Sequence, residues 1–180
     1  MITAAALGSA LLVAAQAVPV EPQSAAVATS ISACELWLLD PASWANDVVA
    51  FGRDEGLQPQ DTVPEVALPP SQFRIALHHW RVSIGEGGMY VTASDRLPIC
   101  HLAGGGPFDL QPPVLDVLRA PAFAGRWKVI ETRRKGEMMS ERYMSTKDAK
   151  LTMTVSYAAE PGQRQDRVQF IATVQYQVGE

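Results

Sequence analysis

Two cysteines, three histidines and one run of glycines are the residues of this chain whose types and spacing invite chemistry. Cys34 and Cys100 are the only cysteines. No Cys-x-x-Cys occurs, so a thioredoxin-like redox pair has no support. In an oxidising compartment the two have a single intramolecular pairing, a Cys34–Cys100 disulfide, which needs their Cα atoms within about 7 Å. A thiol enzyme at Cys100 is the competing use of the same sulfur. His101 follows it directly, yet neighbours on a strand point to opposite faces, so the base would have to be His78 or His79 from a paired strand. A disulfide and a nucleophilic thiolate at Cys100 exclude each other.

His78, His79 and His101 are the only histidines. His78 and His79 point apart on a strand, so at most one can join His101. A zinc site wants three or four converging ligands, and neither His-x-His nor His-Glu-x-x-His occurs. No metal and no cofactor are expected. Gly104-Gly105-Gly106 falls between a strand and a helix start, where free N–H groups can cradle an anion. No Lys or Ser/Thr follows as in a phosphate loop, and Asp109 already offers a carboxylate to that helix end. A tight turn with positive φ is the plainer reading. His79, His101, Gly104, Gly105 and Gly106 form the candidate ligand-binding set, and no residue is assigned a catalytic role. A dispersed hydrolytic site would draw on His78, His79, His101, Asp95 and Asp109. Arg133-Arg134-Lys135, flanked by Glu131, Glu137 and Glu141, reads as a charge-balanced hairpin tip, with contact to an acidic partner as the alternative. Met138, Met139, Met144 and Met153 read as strand-face packing. No nucleophile elbow, spaced carboxylate pair or nucleotide fingerprint is present.

The elements that must carry these residues begin after an uncharged apolar run, Met1 to Ala17, closed by Ala15-Gln16-Ala17. That is the pattern of a signal peptide cleaved after small residues, and it predicts a periplasmic or secreted protein. The alternatives are a buried N-terminal helix, or a lipid anchor at Cys34, since Ile31-Ser32-Ala33-Cys34 looks like a lipobox displaced from the apolar run. The run is too short to span a bilayer. Residues 18–32, rich in Ala, Ser, Val and Pro, read as a flexible tether. Residues 33–180 then suit one domain. The formal net charge of −4 and a pI near 5.4 argue against nucleic acid. No membrane span is expected.

Asp40-Pro41 predicts a helix start, with Trp44, Val48 and Phe51 as its apolar stripe and Gly52 or Gly56 as its end. Gln58 to Gln72, with four prolines, reads as a connection. Strands follow over Arg74 to Ile84, Met89 to Ser94 and Ile99 to Ala103; Asp109 then opens a second helix with Val114, Val117 and Leu118 inward and Pro121 at its end. Trp127 to Arg133 and Met138 to Ser145 make a hairpin. Leu151, Met153, Val155 and Tyr157 alternate with Thr152, Thr154 and Ser156. Val168, Phe170, Ala172, Val174, Tyr176 and Val178 alternate with Gln169, Thr173, Gln175 and Gln177. Period two of this kind predicts antiparallel strands with one buried and one wet face. The expected fold is therefore α+β, a single domain with a mainly antiparallel sheet of 5–7 strands and two helices packed on one face. The expected role is a non-enzymatic binding or accessory domain for a protein or small-molecule ligand, with a hydrolase near His78, His79, His101 and Asp109 as the alternative.

Overall fold

The period-two segments of the C-terminal third become the centre of the sheet. In the computed structural model, which describes residues 20–162 and 168–177, they form β7 (Leu151–Ala158) and β8 (Val168–Tyr176), paired antiparallel. Leu151, Met153, Val155, Phe170, Ala172 and Val174 all turn to one face and are fully buried. The leader to Ala17, with Val18, Pro19, Gln163 and Val178, lies outside the described residues.

The remaining strands are β2 (Leu77–Ile84), β3 (Gly87–Ser94), β4 (Ile99–Gly105), β5 (Trp127–Lys135) and β6 (Met138–Ser145). A two-residue β1 (Gln58–Pro59) joins at one edge, giving one sheet of eight strands in the order β1-β2-β3-β4-β8-β7-β6-β5, every pair antiparallel. The sheet thus exceeds the expected 5–7 strands. Its extra member holds a proline, which an edge strand tolerates because one side of its backbone needs no ladder partner.

Segment 18–32 is not a tether where it is described. Val20–Leu39 is one helix, α1. Ala26, Val27, Ser30, Ile31 and Cys34 are buried along it, and it packs on β2, β3, β4 and β8. Its composition carries little contrast between faces, so no polar stripe announces a helix; a helix without such contrast is stable once buried. Small side chains let it lie close to the sheet, and Ser30 returns its hydroxyl to the Ala26 carbonyl at 2.8 Å. Among the described residues no helix is long and apolar enough to cross a membrane.

The helix expected from Asp40 starts later. A 3-10 turn, Pro41–Ser43, comes first and Asp40 makes no side-chain cap. The helix is α2 (Val48–Asp54), capped by Asp47, whose carboxylate accepts from Ala50 N at 2.9 Å. The break sets Trp44 flat against Trp37, ring centroids 4.1 Å apart, while Phe51 and Trp80 meet Trp37 edge-on. Two further α-helices, α3 (Gln111–Arg119) and α4 (Pro121–Ala124), bring the α-helices among the described residues to four, where two were expected. Val114 and Leu118 are buried in α3 as the spacing requires, whereas Val117 is only half-buried. Thr152 departs from the expected wet face. It is 3% exposed because its row neighbours across the sheet include Ile99 and Met144, and its hydroxyl lies 3.4 Å from the Gln175 carbonyl. Thr154 is the exposed member of that strand.

Candidate functional site on the outer face of the sheet

Parity along each strand decides what faces the helices and what faces away. Cys100 and Leu102 point inward, toward α1. Cys34 and Cys100 are bonded, with Cα atoms 5.3 Å apart and both residues buried. The bond ties α1 to β4 and occupies the sulfur that a lipid anchor at Cys34, or a nucleophile at Cys100, would need.

His101 therefore points outward. The register aligns His79 with Thr92, Thr92 with His101, His101 with Thr173 and Thr173 with Thr154. One polar row thus crosses five strands. His79 Nδ1 lies 3.1 Å from the Thr92 hydroxyl, and His101 Nδ1 lies 2.9 Å from the Thr173 hydroxyl. The two histidines share a face with one strand between them, about 9–10 Å apart by strand spacing. His101 is 5% exposed, and its burial holds the imidazole down to about 4. His79 is also lowered, by burial and then by the neighbouring charge of His78. At neutral pH, then, His101 is an uncharged ring. Its Nε2 has no hydrogen-bond partner among the described residues.

The Pro-rich connection is what covers His101. It leaves β1 at the sheet edge and crosses the outer face through two 3-10 turns, Glu65–Ala67 and Ser71–Phe73. Arg74 stiffens this strap: its Nε donates to the Pro69 carbonyl at 2.7 Å and its Nη1 to Glu65 at 2.6 Å. Between strap and sheet lies a cavity of about 440 Å³. Val66, Leu68, Pro69 and Pro70 form its apolar wall, with Arg74 beside them. His101, Thr154, Ser156, Ile171 and Thr173 form the opposite wall.

The other expected site residues lie elsewhere. Gly104 faces inward, where a Cβ would overlap the Met89 sulfur and crowd Leu110. Gly106 adopts φ +152 beside Gly87, so Gly104 and Gly106 answer close packing and turn geometry. Gly105 ends β4 at a register shift opposite Gly88. None of the three lines the strap cavity. Buried Gln169 holds this corner, donating to the Gly106 and Phe108 carbonyls and accepting from Leu110 N. Asp109, one residue before the Leu110 cap position, makes no helix cap; it accepts from Gln111 N at 2.9 Å at the start of α3 and also receives Gly162 N. His78 faces the helical side and lies 3.3 Å from Asp95. The five groups proposed for a dispersed hydrolytic site are therefore split into His79 with His101, His78 with Asp95, and Asp109 alone.

Sequence reasoning did not reach Thr173, Arg74 or Glu35. Thr173 is marked by outward parity, but its partner depends on register. Glu35 is buried in α1, where its Oε2 accepts from Arg126 Nε at 2.9 Å and from the Trp127 indole at 3.2 Å. Among the described residues, no group of three or more His, Cys, Asp or Glu is placed to hold a metal ion. No protein-family model matches the chain, and no curated protein or solved structure is significantly similar to it.

Proposed function

We propose that this chain is an exported binding domain, periplasmic or secreted, that holds a small uncharged molecule between the proline-rich strap and the outer face of the sheet. The observation that carries this reading is the 440 Å³ cavity itself. One wall is aliphatic and the other presents hydroxyls and a neutral imidazole, the composition of a site that fixes orientation with a few polar groups. Arg74 is the one formally charged side chain in its lining, and that guanidinium is engaged by Glu65 and Pro69. The ligand class is a compact body with one apolar side and one or more hydroxyl or amide groups.

Binding is preferred over hydrolysis on magnitude. Thr173 and His101 resemble a nucleophile–base pair at 2.9 Å. A general base works best with a pKa near the working pH, and His101, at about 4, sits some three units too low. Export is supported by the apolar leader pattern and by the buried disulfide, which suits an oxidising compartment.

Protein-observed NMR during titration with cyclohexanol, a monosaccharide and N-methylacetamide tests the binding reading. At least one probe should give saturable shifts at His101 and Thr173, lost in Ile171→Trp, which fills the cavity. No saturable probe, or shifts that persist in the filled variant, refute it. Intact mass of the exported protein tests the leader, and cleavage after Ala17 is expected.

A further inference from the structure

The polar row on the outer face does not stop at the strap cavity. The register carries it from Thr154 to Arg142 on β6 and on to Glu131 on β5. Tyr143, the next residue on β6, is buried on the helical side, so Arg142 stands on the same face as Thr154. Burial along the row locates the mouth of the cavity. His101 is 5% exposed, Thr173 is half-buried and Thr154 is exposed, although all three line the cavity. The cavity therefore opens toward β6, and Arg142 is the first side chain of the row outside it. Directly opposed residues on antiparallel strands hold their Cβ atoms about 5 Å apart, so the guanidinium is within easy reach of the mouth. Ser140 lies on the same face of β6 and accepts from the Ser156 hydroxyl of the cavity wall at 3.3 Å. Arg142 is half-buried, yet it has neither an ion pair nor a side-chain hydrogen bond among the described residues. Glu131, the carboxylate beside it in the row, is taken by Arg133, and Arg74 in the strap is taken by Glu65 and the Pro69 carbonyl. A guanidinium offers five N–H donors and no acceptor. Those of Arg142 stand unmet at the mouth.

We propose that Arg142, with Ser140, is the outer subsite of the strap cavity, and that the ligand is an uncharged saccharide of at least two units. This rests on the strap-cavity reading and names the ligand of that site. A sugar ring has an apolar C–H side for the proline-rich wall and a rim of hydroxyls for His101, Thr173 and Thr154. Hydroxyls both donate and accept, which suits a wall and a mouth made largely of serine and threonine. The second ring projects past Thr154 and brings acceptor oxygens to the guanidinium. Bonds from an ionised donor are stronger than neutral ones, so the gain in affinity belongs to the second ring. A simple alcohol or a single sugar fills the cavity and ends before Arg142.

The test is glucose, galactose, maltose and lactose titrated into the full chain, read by protein-observed NMR at His101 and at the Arg142 Nε–H. At least one disaccharide and its constituent monosaccharide should shift His101 saturably, and only the disaccharide should shift Arg142. The disaccharide should bind about three- to tenfold more tightly than the single sugar. Arg142→Met removes the donors and keeps an apolar stem. It should abolish that gain while the single sugar binds as before. The proposal fails if the disaccharide shows no gain, if Arg142→Met weakens both sugars alike, or if no sugar binds. In that last case, cyclohexanol or N-methylacetamide binding at His101 leaves the strap-cavity reading standing, and silence from every probe ends both.

Discussion

Acidification from pH 7 to pH 4 should charge His101 in the unfolded chain long before it charges the ring in the fold. The folded imidazole is held at about 4 by burial under the strap, whereas an unfolded histidine titrates near 6.5. Below 6.5 the unfolded state takes up a proton that the folded state refuses, so stability falls with pH. The loss begins near 6.5, reaches about 2 kcal/mol at pH 5 and about 3 kcal/mol at pH 4, and levels off below the folded pKa. His79, lowered by burial and by the neighbouring His78, acts in the same direction. The His101 share is therefore isolated by comparison with His101→Gln, which can keep a bond to Thr173 but does not titrate. Urea unfolding of both proteins at half-unit steps from pH 7.5 to 4 gives the difference curve. Parent stability should drop about 2–3 kcal/mol more than that of the variant over this range. An NMR titration that places His101 near 6.5 in the folded protein, or parallel curves for the two proteins, refutes the reasoning.

Leu151→Ala and Phe170→Ala, each emptying a fully buried site, should destabilise by about 2–5 kcal/mol in chemical unfolding, while exposed Thr154→Ala stays within about 0.5 kcal/mol. Reduction of Cys34–Cys100, which spans a sequence separation of 66, should lower stability by about 4 kcal/mol on the chain-entropy estimate. Hydrogen exchange should then show α1 loosening before β7 and β8. Gly104→Ala places a methyl against the buried Met89 sulfur and should lower the thermal midpoint through a loss of about 1–3 kcal/mol, and in the double variant Gly104→Ala, Met89→Ala the two losses should be less than additive. Trp127→Phe removes the indole donor to Glu35 and should destabilise by about 1 kcal/mol; an unchanged unfolding midpoint would count against that bond.

Elements whose residues have sharp local patterns were legible. The alternation over 151–157 and 168–176 placed β7 and β8 and identified their buried face, because side chains alternate faces whatever the strand pairs with. Outward parity also separated His78 from His79. The two expected helices were less legible. Asp40 is a good cap residue, but Asp47 is another, and the stacking of Trp44 on Trp37 favours the later start. The candidate site was legible in fragments: His79 and His101 were singled out and do share a face. The glycine run, chosen with them, belongs to the packing of Met89, Gly87 and Leu110 instead.

By itself the sequence determined the one available disulfide pairing, the antiparallel character of the C-terminal strands and which apolar side chains of β7 and β8 fill the core. These follow from short-range constraints: two cysteines admit one bond, and an alternating strand has two unlike faces. Tertiary structure alone decided the rest. Residues 20–39 become a helix because burial against the sheet supplies what an uncontrasted composition does not announce. His101 meets Thr173, 72 residues away, because the pairing of β4 with β8 sets the register. Its neutral state follows from a strap whose path across the sheet is set by contacts remote in sequence. Glu35 finds Arg126 and Trp127 for the same reason. Periodicity tells a side chain which way to point; only the packing of distant segments tells it what it will meet.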